Sequence, residues 1–320
     1  MFILVNRVRA IANRGTAKLD RKKFDAAIAQ FDAAKVNGLA MKSVIVSDPD
    51  GYLEHDFVEQ PTPTDLRSIS KLAVSLALGS AVESRVRLRG EPLSLDTRIA
   101  PFFADFVASK AGSERTFLEE VRLRHLLTNT IGHRNGFLFR ADVGSRDPNL
   151  LLDYIFAQPL EYPPGTHFSY SNVGWYLVSA MVRNELNVPL SRWVEELLLK
   201  RLGIHRFNWI KYGEYEAGAT GLSMANNDLH KIGQLLLKCG RFGDEQIVPR
   251  SWIEAACSPV VVASSGYDAN SPLQATAYGY GIWICEDGTF YCDGSGGAVL
   301  DRCSSEVKGH YGSYGKWRYA

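Results

Sequence analysis

The chain predicts an α/β fold in which one antiparallel sheet, flanked by helices, is built from both chain ends around an inserted, mostly helical subdomain. Three observations point there. Extended segments bounded by turn residues occur near residues 39–58 and again near 278–293, whereas helical periodicity fills the stretch between them. Strands, then helices, then strands is the order of a sheet closed by its two ends. A length of 320 residues is long for one compact core and short for three, so two interlocked subdomains are expected. Their expected bounds are 1–83 with 240–320 for the sheet domain, and 84–239 for the helical one.

Taken in order, residues 21–35 carry Phe24, Ala27, Ile28, Phe31 and Ala34 at helical spacing. A strand pair follows, Leu39 to Val46 and Tyr52 to Val58, joined by Ser47-Asp48-Pro49-Asp50-Gly51. The apolar run Leu72 to Val82 reads as a helix buried on most sides. A Pro- and Gly-punctuated middle then shows helical patterns near 116–127, 173–185, 189–200 and 226–238. Tyr278 to Cys285 reads as a strand, Glu286-Asp287-Gly288 as a tight turn and Thr289 to Asp293 as the return. The tail from Val299 to Ala320 shows neither a clear alternating pattern nor an amphipathic helix.

Composition narrows the function. A hydrophobic fraction of 46% with 22% charged residues is that of an ordinary globular protein, and a net charge of +1 spread along the chain gives no nucleic-acid footprint. Five cysteines, clustered late and without zinc-like spacing, read as reduced structural thiols. The start, Met1-Phe2-Ile3-Leu4-Val5 before Asn6-Arg7, reverses the order of a secretory signal, and no stretch is long enough for a membrane span. A cytoplasmic location is expected, or a periplasmic or extracellular one if a leader has been lost. No metal and no cofactor is expected.

The residues that carry chemistry begin with Ser68-Ile69-Ser70-Lys71. Positions i and i+3 share one helical face, so the Ser68 hydroxyl and the Lys71 amine can meet. Serine needs a base, and a free lysine with a pKa of about 10.4 serves only if burial depresses it. Ser68 as a helix N-cap is the competing reading. In Tyr170-Ser171-Asn172 the first and third residues of an extended segment face one side, which suits a proton-relaying phenol and a carboxamide that holds substrate or lysine. The alternative is a tyrosine packed under a loop and an asparagine cap. Gly294-Ser295-Gly296-Gly297-Ala298 follows the second strand pair. It reads either as a plain turn or as a strand that lets a substrate backbone approach, with the Ala298 and Ser68 N–H groups forming an oxyanion hole.

In this order the three segments resemble the serine β-lactamase and penicillin-binding-protein superfamily, most closely its class C type with esterases and short-amide hydrolases. The connecting segments extend the likeness from about Leu39 to Gly297: Arg124-His125-Leu126-Leu127-Thr128-Asn129-Thr130, Pro164-Gly165-Thr166-His167-Phe168-Ser169, Gly221-Leu222-Ser223-Met224, Gln246-Ile247-Val248-Pro249 and Tyr278-Gly279-Tyr280-Gly281. The resemblance implies a β-lactamase/transpeptidase-like fold, Ser68 as acylated nucleophile, Lys71 as the amine that shares its proton, Tyr170 as partner base and acid, and Asn172 as substrate and lysine ligand. Ser295, Gly296, Gly297 and Ala298 would complete the substrate-binding strand. The implied activity is acyl transfer to water from a small ester or amide.

Two departures qualify this. Where the family often has lysine or histidine at the start of the third motif, this chain has Ser295, which favours ester or neutral-amide substrates over carboxylate-bearing ones. After that motif the family usually continues through two more strands and a closing helix, which the tail does not visibly supply. A catalytically impaired binding or regulatory protein on the same fold is therefore the main alternative. A penicillin-binding or D-amino peptidase activity is a further one, and a homo-oligomer that completes the sheet is left open.

Overall fold

The computed structural model describes residues 19–35, 42–47, 51–59, 62–263, 274–295, 298–303 and 316–319. Its frame is an eight-stranded sheet in the order Val261–Val262, Ala275–Tyr278, Trp283–Cys285, Phe290–Gly294, Ala298–Cys303, Lys316–Tyr319, Ser43–Ser47 and Tyr52–Asp56. All neighbours run antiparallel. Both chain ends contribute, and the seam between them is the pairing of Ile45 with Tyr319.

The tail corrects an expectation. It supplies two strands, Ala298–Cys303 and Lys316–Tyr319, and the latter is paired on both sides, Tyr319 opposite Leu300 and opposite Ile45. Four residues are too few for a legible alternation, and such a strand is specified by its neighbours rather than by its own pattern. The segment Tyr278 to Cys285, expected as one strand, is two. A turn closed by the Gly279 N–H donating to the Ile282 carbonyl at 2.8 Å, with Gly281 at φ +84°, separates Ala275–Tyr278 from Trp283–Cys285. The first hairpin comprises Ser43–Ser47 and Tyr52–Asp56, while residues 36–41 lie outside the described residues.

Helix Arg21–Lys35 buries Phe24, Ala27, Ile28 and Phe31 against Val44 and Val46. Ile45, pointing to the opposite face, joins the main core with Leu66 and Ile69. The sheet thus lies between two apolar layers. The pattern near 116–127 forms two helices, Gly112–Glu120 and Leu123–Leu127, because Val121 and Arg122 are extended and Arg122 bridges to Arg98. The pattern at 173–185 gives Val173–Leu186, ended by Asn187 at φ +54°. That at 189–200 gives Leu190–Val194 followed by a π turn and a 3-10 turn. Helix Asn226–Leu237 runs along Ser43–Ser47 and Lys316–Tyr319. Helix Ser70–Glu83 is buried from Ser70 through Ala81, the surroundings its apolar run anticipates. Among the described residues no helix is long and apolar enough to cross a membrane, and Cys239, Cys257, Cys285 and Cys292 are thiols rather than disulfides.

Candidate active site

Ser68 sits in a 3-10 turn, Arg67–Ile69, that runs directly into helix Ser70–Glu83. A 3-10 turn repeats every three residues, so i and i+3 eclipse. Lys71 Nζ accordingly lies 3.1 Å from Ser68 Oγ. The cap position of the helix is Ile69, with no side-chain cap bond, so Ser68 does not act as one. The turn is strained: Arg67 is at φ +51°, which costs an L-residue about 1–2 kcal/mol. Three contacts hold it. The Arg67 N–H donates to Asp65 Oδ1 at 2.9 Å, the Leu66 N–H donates to the Leu222 carbonyl at 2.8 Å, and Gly294 of the neighbouring strand packs so close that a Cβ there would lie 2.5 Å from the Leu66 carbonyl oxygen.

Lys71 is 1% exposed, and its Nζ has three oxygen neighbours: Ser68 Oγ, Asn172 Oδ1 at 2.9 Å and the Ala219 carbonyl at 3.2 Å. An ammonium can donate to all three. A neutral amine keeps two N–H bonds, for Asn172 and Ala219, and turns its lone pair to Ser68. Burial pushes the amine down to about 7, against opposing pulls from Asp293 and Cys292. Both protonation states are therefore accessible near neutral pH.

Tyr170 completes the group. Burial raises its phenol well above the ordinary range, against an opposing pull from the Ser68 hydroxyl, so it stays protonated. Lys71 Nζ lies 4.9 Å from the centroid of its ring. That ring is half-buried, stacked on Trp283 at 5.2 Å and met edge-on by Tyr278 at 6.0 Å. Asn172 spends its Oδ1 on Lys71 and donates from Nδ2 to the Leu138 carbonyl at 3.0 Å, an orientation that both neighbours demand. Ser171 faces away, as its alternation predicts: its Oγ donates to the Phe137 carbonyl at 2.9 Å and accepts from the Val173 N–H at 3.2 Å, tending the helix start in place of Asn172.

The structure thus brings Ser68, Tyr170 and Asn172 together around Lys71 Nζ. The third segment enters differently. Ser295 is exposed at the hairpin end, Gly296 and Gly297 lie outside the described residues, and Ala298 opens the strand paired with Gly294. Among the described residues, the glycine that meets the nucleophile turn is Gly294. Sequence reasoning also misses Ala219, which contributes only a carbonyl, and the segment 136–138, which braces Tyr170 and Asn172 through its backbone. Neither has a side-chain signature. Among the described residues no group of three or more His, Cys, Asp or Glu side chains is placed to hold a metal.

Known proteins give the same framework. A protein of Escherichia coli (strain K12), provisionally named a D-alanyl-D-alanine carboxypeptidase, is 29% identical over 157 residues, covering 46% of this chain and 35% of that protein. The matched stretch is thus about a third of that relative's length. The octameric penicillin-binding protein homologue from Pyrococcus abyssi superposes with a TM-score of 0.65 at 20% identity, over 94% of this chain and 73% of that one. A penicillin-binding protein from Bacillus halodurans gives 0.63 at 18% identity, over 90% and 93%. At these identities the structures establish the fold. The sequence profile of the Beta-lactamase family matches residues 58–300, which include Ser68, Lys71, Tyr170 and Asn172, and the chain belongs to that family.

Proposed function

We propose that the protein is a serine hydrolase that forms an acyl-enzyme at Ser68 on a small ester or amide. The observation that carries this reading is the contact of Ser68 Oγ with a buried amine of nearly neutral pKa, in the company of a phenol that burial keeps protonated. As Oγ bonds to the substrate carbonyl carbon, its proton passes to Lys71 Nζ. The carbon–leaving-group bond then breaks, the leaving group takes a proton from the Tyr170 hydroxyl, and Lys71 reprotonates Tyr170. Water repeats the attack on the ester at Ser68 and releases the acid. Asn172 holds Lys71 in place throughout. The test is direct. Incubation with a fluorophosphonate or a penicillin should add one probe mass, located by peptide mapping on Ser68; a protein whose mass never shifts overturns the proposal.

A pH dependence follows from the same roles. Lys71 accepts the proton only when neutral, so kcat/KM for an uncharged ester should fall about tenfold per pH unit below about 7 and level off above it. A profile flat from pH 5 to 8, measured on p-nitrophenyl acetate, would remove Lys71 from the role of base.

A further inference from the structure

Beside the nucleophile turn two arginines gather on one aspartate. We infer that Arg67 and Arg140, tied together by Asp65, form a recognition site for a carboxylate on the substrate; the inference rests on the acyl-enzyme reading above and names the substrate class it would serve. Arg67 immediately precedes the nucleophile, and its stem is wedged against the Gly294 strand, where an added Cβ would lie 2.9 Å from Arg67 Cβ. Arg140 follows Phe139, whose ring stacks parallel to that of Tyr170 at 6.5 Å. The two arginines therefore adjoin in the chain the nucleophile itself and the residue whose ring stacks on Tyr170.

Their heads converge on one acid. Asp65 Oδ2 lies 3.3 Å from Arg67 Nε and also accepts from the Arg140 guanidinium, while Asp65 Oδ1 accepts from the Arg67 N–H. Two guanidinium groups against one carboxylate leave one excess positive charge. Each guanidinium has five N–H donors, and Asp65 takes only part of them. The side chains are 31% and 46% exposed, so both heads reach solvent. The Tyr212 phenol lies in the field of both arginines and of Asp65, which adds a neutral donor to the same rim. Asp293, by contrast, brings negative charge toward Lys71 and Tyr170 from the Phe290–Gly294 strand. The rim is also bound to the strained turn: an arginine in the left-handed region persists because its surroundings over-determine it, and strain of this kind gathers at functional sites. A planar fork held by a carboxylate is pre-organised for a second, ligand carboxylate.

The experiment compares esters of equal length and different charge. For the wild type, kcat/KM should favour mono-p-nitrophenyl glutarate over p-nitrophenyl valerate by about tenfold at low salt, and the ratio should shrink as ionic strength rises. Arg140→Gln should bring that ratio close to one. A wild-type ratio of one or below, or a ratio unmoved by Arg140→Gln, overturns the inference. Turnover is not required for the second arm: Ser68→Ala should bind monomethyl glutarate more tightly than methyl valerate in calorimetric titration, and equal or absent binding of the acid counts against the site. Ester turnover undiminished in Ser68→Ala, with the preference for glutarate retained, would refute the acyl-enzyme reading and leave the carboxylate site standing.

Discussion

Ser68→Ala and Lys71→Met should each lower kcat/KM for an activated ester by about 10³-fold or more, and the double variant should lose little beyond either single one. The reason is that the two side chains make one functional unit. Without Lys71 the Ser68 hydroxyl is left with Tyr170, a phenol that burial holds protonated and that cannot take the proton. Without Ser68 the amine at its pKa of about 7 has no hydroxyl to deprotonate. Methionine is the substitution of choice because it retains the unbranched volume of a side chain that is 1% exposed, so the loss reports chemistry more than packing. It leaves Asn172 Oδ1 and the Ala219 carbonyl without their donor, so thermal melts should accompany the kinetics. Losses that multiply in the double variant would show that Ser68 and Lys71 act independently. Retained Ser68 labelling in Lys71→Met at the wild-type rate would assign the base to another group.

The nucleophile pair is legible in the sequence because its geometry is local: three residues of spacing on a turn that leads into an apolar run fix one short distance. Tyr170 and Asn172 are legible for a similar reason, since a two-residue period places both on one side. What the sequence does not display is how those two local pieces are held against each other. The Ala219 carbonyl reaches Lys71 from 148 positions away, and any residue could supply it. Gly294 is indistinguishable by composition from the glycines after it, and nothing in the sequence marks that it packs against the Leu66 carbonyl. The tail strands fail to show for a different reason. Lys316–Tyr319 is a strand because strands on both sides pair with it. The sheet's closure therefore depends on the register between the two ends of the chain. The reading of Ser295 concerns the third motif alone, while the meeting of Arg67 and Arg140 at Asp65 joins chain segments far apart in sequence and leaves no local signature.

The bracing segment makes the last prediction. Gly136 runs beside Tyr170 so closely that a Cβ built on it would lie 1.6 Å from the Tyr170 carbonyl oxygen, far inside contact distance and against backbone that cannot swing away. The next residue holds the same strip, with the Phe137 carbonyl accepting from the Asn172 N–H at 3.1 Å and from Ser171 Oγ at 2.9 Å. Gly136→Ala must therefore push Tyr170 and Asn172 off the nucleophile by about 1 Å, a displacement that costs about 10²-fold in rate. Overpacking of this kind destabilises by about 1–3 kcal/mol, so the melting temperature should fall as well. Gly144→Ala is the matched control: a Cβ there meets nothing within 4 Å, the residue lies in helix Arg140–Gly144, and alanine is preferred there by about 0.5–1 kcal/mol. The kinetics should separate the two variants at a temperature where both are folded. If Gly136→Ala keeps wild-type kcat/KM, the backbone of 136–138 does not position Tyr170. If it loses activity while Ser68 is still labelled slowly by a fluorophosphonate, the nucleophile turn has survived and the damage lies in the Tyr170–Asn172 arm, which is where the close approach places it.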